Sequence, residues 1–383
     1  MSVSFSKEIE NISEIQKFNP TIKFIKEIVK HKGQGYIKKL EDGSFLSGGA
    51  DNEIIYYDKE FNRLYTRFSE NFDVSEIKIP FDKNKKGFLI SSSKKFIIKT
   101  LNNNLSTRIE IPKINCTNLI IMNNKSFIIC SNEGIFHFLN LTKANRTKIK
   151  NFMIYKKSYS AGIKITEIII VLTSNCNLPN GEDKLIFYNI SSKEIIDRIE
   201  GFSFNLSRYS LLVISNDKNK EDTIILCACK KYIKAQKNGI LLVNFNKNKK
   251  CVKNCNFYDT NNFEVYCFFE IFFSYNLRFI LVGGFDLEQK IGIIKLYGII
   301  IKDIFGELEF EFLYFNDIEM EEFFENMGII TCLEKSNKSK NILISTSDGN
   351  IYLSKINIDF KYFYENIMLF KKLEPKKNPH PDI

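Results

Sequence analysis

SGGADNEIIYYD, residues 47–58, packs a strand end, a tight turn and a second strand into twelve residues. Ser47 closes an apolar run. Gly48, Gly49, Ala50 and Asp51 supply the small and turn-forming side chains, and Glu53–Tyr57 is rich in the β-branched and aromatic residues that pleated strands favour. The pattern recurs in degraded form. Junctions of a strand, small turn residues and a second strand fall near Gly48, Ser92, Ser131, Ser174, Ala228, Gly283 and Thr346. The interval starts near forty residues and lengthens in the later copies, which reads as a repeat with loop insertions. Seven units of about four strands each is the count of a β-propeller. One such sheet cannot bury both of its faces alone, so its neighbours must cover it and the units fold as one domain.

Strands dominate the rest of the chain. Short apolar runs recur at Gly87–Ser91, Phe96–Thr100, Asn118–Met122, Ser126–Cys130, Ile135–Leu139, Glu167–Leu172, Lys184–Tyr188, Ile240–Phe245, Arg278–Val282, Ile291–Tyr297, Asn341–Ser345 and Gly349–Ser354. Turn pairs such as Asp42-Gly43, Asn123-Asn124 and Asn238-Gly239 separate them. Helical periodicity is scarce. Asp317–Met327 (DIEMEEFFENM) and Tyr362–Leu373 are the two stretches that suggest short helices.

Composition bounds the class. Of 383 residues, 44% are hydrophobic and 14% aromatic, which is globular rather than disordered. Lys and Arg number 55 against 45 Asp and Glu, a formal charge of +10. The excess is spread over loops such as Lys83–Lys86 and Lys247–Lys250, which read as solvated hairpin tips. A spread positive field attracts nucleic acid or anionic lipid only weakly. Nine cysteines in mostly apolar runs fit free thiols in a reducing compartment, and with no signal-like N-terminus this predicts a cytoplasmic protein. The most apolar stretch, Val265–Phe285, is broken by Glu270, Asn276 and Arg278, so it is not expected to span a membrane.

Leu40–Asp58, LEDGSFLSGGADNEIIYYD, resembles the second and third strands of the WD40-repeat family. An Asp-Gly hairpin leads to a strand ending in Ser, a turn with Asp, and a strand ending where the family has Trp-Asp. The resemblance carries the family's structural tetrad onto His31, Ser47, Asp51 and Tyr57, with Tyr in the place of Trp. Ile344–Ser354 and Cys130–Leu141 are weaker copies, and Ser354 replaces the Trp of its unit. The resemblance implies an all-β, single-domain, seven-bladed propeller of four-stranded antiparallel blades over residues 30–358. Residues 1–29 are expected to hold an N-terminal strand, Thr21–Val29, that completes the last blade beside Ile351–Ile356, with Tyr362–Leu373 of the C-terminal extension, 359–383, as the competing closing segment.

Catalytic chemistry is not expected. The chain has three histidines, and it carries no G-x-S-x-G elbow, phosphate-binding loop or H-E-x-x-H pair. Cys227-x-Cys229 and Cys251-xxx-Cys255, with Cys267 nearby, have the softness zinc wants but not its usual spacing, and read as core thiols. No cofactor and no metal are expected. Asp317, Glu319, Glu321, Glu322, Phe323, Phe324 and Glu325 read as an amphipathic helix inserted between the sixth and seventh blades, and as the candidate partner-docking insertion. The expected function is a non-enzymatic scaffold for other proteins. The alternative is an electrostatic binder of nucleic acid or an anionic membrane surface. Neither the partner nor the face it uses is legible in the chain.

Overall fold

The computed structural model describes most of residues 20–359, with its longer breaks at 69–73, 79–86, 101–115, 142–146, 176–182, 216–220 and 321–326. Every regular element among the described residues is a β-strand. After β1 (Thr21–Lys30), the strands β2 (Tyr36–Lys39), β3 (Phe45–Gly48), β4 (Glu53–Tyr57) and β5 (Arg63–Phe68) form an antiparallel meander. Three strands follow, β6 (Val74–Lys78), β7 (Gly87–Ser92) and β8 (Phe96–Thr100), then the meander β9 (Cys116–Asn123), β10 (Ser126–Ser131), β11 (Ile135–Leu141) and β12 (Thr147–Met153).

The next two units share one sheet. They are β13 (Ser158–Lys164), β14 (Ile169–Asn175), β15 (Asp183–Asn189) and β16 (Glu194–Phe204), then β17 (Leu211–Ser215), β18 (Asp222–Tyr232), β19 (Lys237–Asn246) and β20 (Cys251–Asp259). The join is made where β16 outruns its own unit and pairs with β18, Phe202 opposite Tyr232 and Phe204 opposite Cys229. The Phe202 and Tyr232 rings stack at 4.9 Å over this join. The sixth unit is β21 (Phe263–Phe272), β22 (Leu277–Asp286), β23 (Ile291–Ile304) and β24 (Glu307–Asp317). A short strand, β25 (Glu319–Met320), precedes β26 (Ile330–Lys335), β27 (Asn341–Thr346) and β28 (Asn350–Asn357). β1 supplies the fourth strand of this last unit, antiparallel to β28 from Thr21 opposite Asn357 to Lys30 opposite Asn350.

The first strands of the units touch in succession. β2 meets β6, β6 meets β9, β9 meets β13, β13 meets β17, β17 meets β21, β21 meets β26, and β26 returns to β2. The apolar cores lie between neighbouring sheets rather than within any one. Along β18, Ile225, Cys227 and Cys229 pack toward the unit before, against Phe187 and Phe204. Ile224, Leu226 and Ala228 pack toward the unit after, against Ile280 and Val282. Both faces of such a strand are buried, which is why it reads as an unbroken apolar run. Phe187 and Phe245 stack across one seam at 4.7 Å, and each fully buried side chain of this size contributes roughly 1.5–3 kcal/mol.

Two expectations need correcting. The described residues of Asp317–Met327 are not helical, and 321–326 lie outside the described residues. Asp317 ends β24, Glu319 and Met320 pair in parallel with Thr21 and Ile22 of β1, and Ile318 and Met327 are buried in the core between the last two units. The backbone is claimed by sheet partners: the Glu319 N–H donates to Pro20 O and the Ile318 N–H to Ile294 O. The turns placed at Ala228 and Gly283 are strand interiors, because those two hairpins run on to Tyr232 and Asp286. Gly283 and Gly284 serve close packing instead of a turn. A Cβ on Gly284 would lie 2.1 Å from Glu264 O, and one on Gly283 2.7 Å from Cys267 Sγ. The stretch Tyr362–Leu373 and the C-terminal extension beyond Asp359 lie outside the described residues.

Candidate functional site

The structure brings His31, Ser47, Asp51 and Tyr57 together where the first unit meets the last. β3 ends just past Ser47, and β4 starts just past Asp51, so the tight turn sets the serine and the aspartate on either side of one imidazole. His31 arrives from the end of β1. Its backbone N–H donates to Gly349 O in the turn between β27 and β28, at 3.0 Å. Gly349 takes φ +91° there, the left-handed region that glycine enters without strain. Gly49 is the other obligatory gap: a Cβ on it would lie 2.4 Å from the His31 Cβ.

His31 Nε2 lies 3.0 Å from Ser47 Oγ, and Nδ1 lies 3.0 Å and 3.1 Å from the two Asp51 carboxylate oxygens. Ser47 Oγ is 3.4 Å from the Tyr57 hydroxyl. The network is almost wholly buried, with His31 2% and Ser47 0% exposed. Burial holds the Tyr57 phenol above its ordinary value, against a smaller opposing effect of the Ser47 hydroxyl, so the group stays neutral and protonated. Asp51 also accepts the backbone N–H groups of Lys32 and Glu53, each at 3.1 Å. The aspartate thus ties together the incoming loop, the turn and the start of β4. Satisfied networks of this kind specify one arrangement, because each buried polar atom is costly without its partner.

In the last unit the corresponding region is poorer. Thr346 Oγ1 and Asn350 Nδ2 both donate to the carboxylate of Asp348. Ser354, standing at the Trp position of the repeat, is fully buried and its Oγ has no hydrogen-bond partner among the described residues; Ser345 Oγ is in the same state.

Of the insertion residues, Asp317 accepts the Tyr314 hydroxyl at 2.8 Å and faces Lys295 Nζ at 3.0 Å, and Glu319 is exposed. Glu321, Glu322, Phe323, Phe324 and Glu325 lie outside the described residues. Cys227, Cys229 and Cys267 are buried, and burial pushes the Cys227 and Cys267 thiols well up, which makes them core residues rather than ready thiolates. Cys267 packs in a different seam from Cys227 and Cys229. Glu53 was not singled out in the sequence, and Lys230-Lys231-Tyr232 was read only as a fragment of a basic, aromatic surface. Glu53, two residues past Asp51, brings a second carboxylate to the imidazole. Lys230 and Lys231 are exposed at the far end of β18, where the hairpin outruns its unit, a length that the run ILCACKKY does not announce. No helix among the described residues is long and apolar enough to cross a membrane.

No protein-family model and no curated protein matches the chain. Solved structures do. A chain of the structure titled "Crystal Structure of Mitotic Checkpoint Complex" superposes with a TM-score of 0.59 at 10% identity, covering 90% of this chain and 94% of that one. At that identity the likeness concerns the fold alone: an all-β architecture of antiparallel sheets consistent with a β-propeller.

Proposed function

We propose that the units close into a seven-bladed ring and that the chain works as a non-enzymatic, cytoplasmic scaffold assembling other proteins on the faces of that ring. The observation that carries this reading is the circular succession of first-strand contacts, with β26 back against β2 and β1 completing the last sheet. Closure removes the exposed sheet edges that would otherwise pair at random, and leaves loops on two rigid faces as the surface available for recognition. The matched solved chain comes from a complex, which favours protein partners for this one too. The step from fold to function is analogy, because such folds host many activities.

Affinity capture of the full chain from its own cells, followed by size exclusion and mass spectrometry of what co-elutes, tests it. The expected result is one or more proteins in fixed ratio with the chain; elution as a free monomer overturns the scaffold reading. The electrostatic alternative draws on Lys230 and Lys231, exposed on the projecting β18–β19 hairpin. Retention on a heparin column separates the two. Release by about 0.15 M salt fits the scaffold, whereas retention well above that fits a polyanion binder.

A further inference from the structure

We infer that His31, Asp51 and Glu53 bind one divalent transition-metal cation of the zinc type. The His31 ring nitrogen and one oxygen from each carboxylate lie within 4.8 Å of one another, the only such group of three among the described residues. One imidazole nitrogen and two carboxylate oxygens form a donor set that suits zinc and its neighbours.

Proximity alone does not make the site, because His31 Nδ1 faces Asp51 across hydrogen-bonding distance and a proton there would fill the gap. Tyr57 changes this. An indole nitrogen at its position could only donate, so Ser47 would be bound to pass its own proton to Nε2, and the imidazole proton would have to sit on Nδ1. A phenol hydroxyl also accepts. Ser47 Oγ is placed to donate to Tyr57 Oη at 3.4 Å, which frees its lone pairs to accept an Nε2–H at 3.0 Å. In that direction of the chain Nδ1 can give up the proton it shares with Asp51 in the metal-free protein, and a cation can take that proton's place between the ring and the carboxylate. A metal-bound histidine characteristically donates its other N–H to an oxygen that fixes its orientation, and Ser47 supplies that oxygen.

Two of the three ligands are held before any metal arrives. Asp51 is fixed by the N–H groups of Lys32 and Glu53, and His31 by Gly349. The Asp51 side chain is 13% exposed, so water can reach the remaining coordination positions.

Zinc chloride titrated into the full chain by calorimetry, with cobalt chloride followed by visible absorption, tests the inference. The expected result is one site per chain, with cobalt d–d bands and no thiolate charge-transfer band. Glu53→Gln removes a ligand, and Tyr57→Trp makes the phenol position a donor only. Each should weaken zinc binding about tenfold or more, with the circular dichroism spectrum unchanged. Glu53→Gln leaves the buried network in place, so it decides the matter even if Tyr57→Trp fails to fold. Wild-type affinity in a folded Glu53→Gln or Tyr57→Trp protein, or a charge-transfer band placing cobalt on Cys251 or Cys255, overturns it.

Discussion

Asp51 holds three polar partners on one small carboxylate, the His31 ring and the Lys32 and Glu53 backbone N–H groups, and His31 carries the chain on to the Ser47 hydroxyl. Asp51→Ala leaves the buried imidazole without its partner, and should lower the unfolding free energy by about 1–3 kcal/mol in urea titrations. Ser354 is the opposite case. Its buried hydroxyl has no hydrogen-bond partner among the described residues. Ser354→Ala should leave stability unchanged or raise it by about 1 kcal/mol, and a clear loss in the same titration would mean that the hydroxyl is bonded. Asp58 ends the SGGADNEIIYYD stretch as a turn residue. Its carboxylate accepts the Asn62 side chain at 2.7 Å and the backbone N–H groups of Glu60 and Asn62. The Asn62 amide leads the effects that hold its carboxyl below the ordinary value. A group depressed in the folded state stabilises above its unfolded value and loses that contribution as pH falls through the folded one. The melting-temperature gap between wild type and Asp58→Ala should therefore narrow between about pH 5 and pH 2, and a gap that stays constant would assign the effect to something other than the charge.

β1 is a strand whose pattern is set by its place. Ile22 is fully buried between the last two units, while Lys23, Ile25, Lys26 and Glu27 are exposed. Bulges between Phe24 and Lys26 and between Glu27 and Val29 let it follow the twist of β28 over its whole length. β25 then clasps its first two residues from the other side. Removing residues 1–30 would expose the β28 edge and the apolar surface around Ile342, Tyr352 and Ile356. The shortened chain should aggregate or melt several degrees lower by scanning calorimetry. If it melts like the full chain, another segment covers β28.

Each core cluster takes its side chains from two adjoining units, and units four and five are joined by a continuous ladder as well. No unit can keep its core once a neighbour leaves, so heat should unfold the chain in one transition. Two separated calorimetric peaks would divide it into independent parts.

The strands read directly from the sequence are mostly the second and third of each unit: β3 was marked by the ending of FLSG, and β4, β7, β8, β10, β11, β14, β15, β19, β22, β23, β27 and β28 by their apolar runs, with β9, a first strand, and β1, the fourth strand of the last unit, read as well. Those among them whose burial is described, such as β15, β19 and β27, lie inside a sheet and are buried on both faces, so hydrophobicity alone marks them. The strands that went unread are mostly first and fourth ones. β20, CVKNCNFYD, is half-buried to exposed throughout, and its residues belong to a sheet because β19 offers it a ladder, not because of their own preference. The same holds for Glu319 and Met320, helical in local pattern and extended in the fold because Thr21 and Ile22 are there to pair with them. The sequence therefore dictates the repeat, most of its turns, the strand that seals the last unit and the residues of the His31 network, which are local in the chain or carried by one short stretch. Which sheet lies beside which, how far the β18–β19 hairpin projects and the register in which β1 lies on β28 were decided only by tertiary packing. Those features depend on pairings between residues some three hundred positions apart, such as Lys30 with Asn350, and no local preference encodes them.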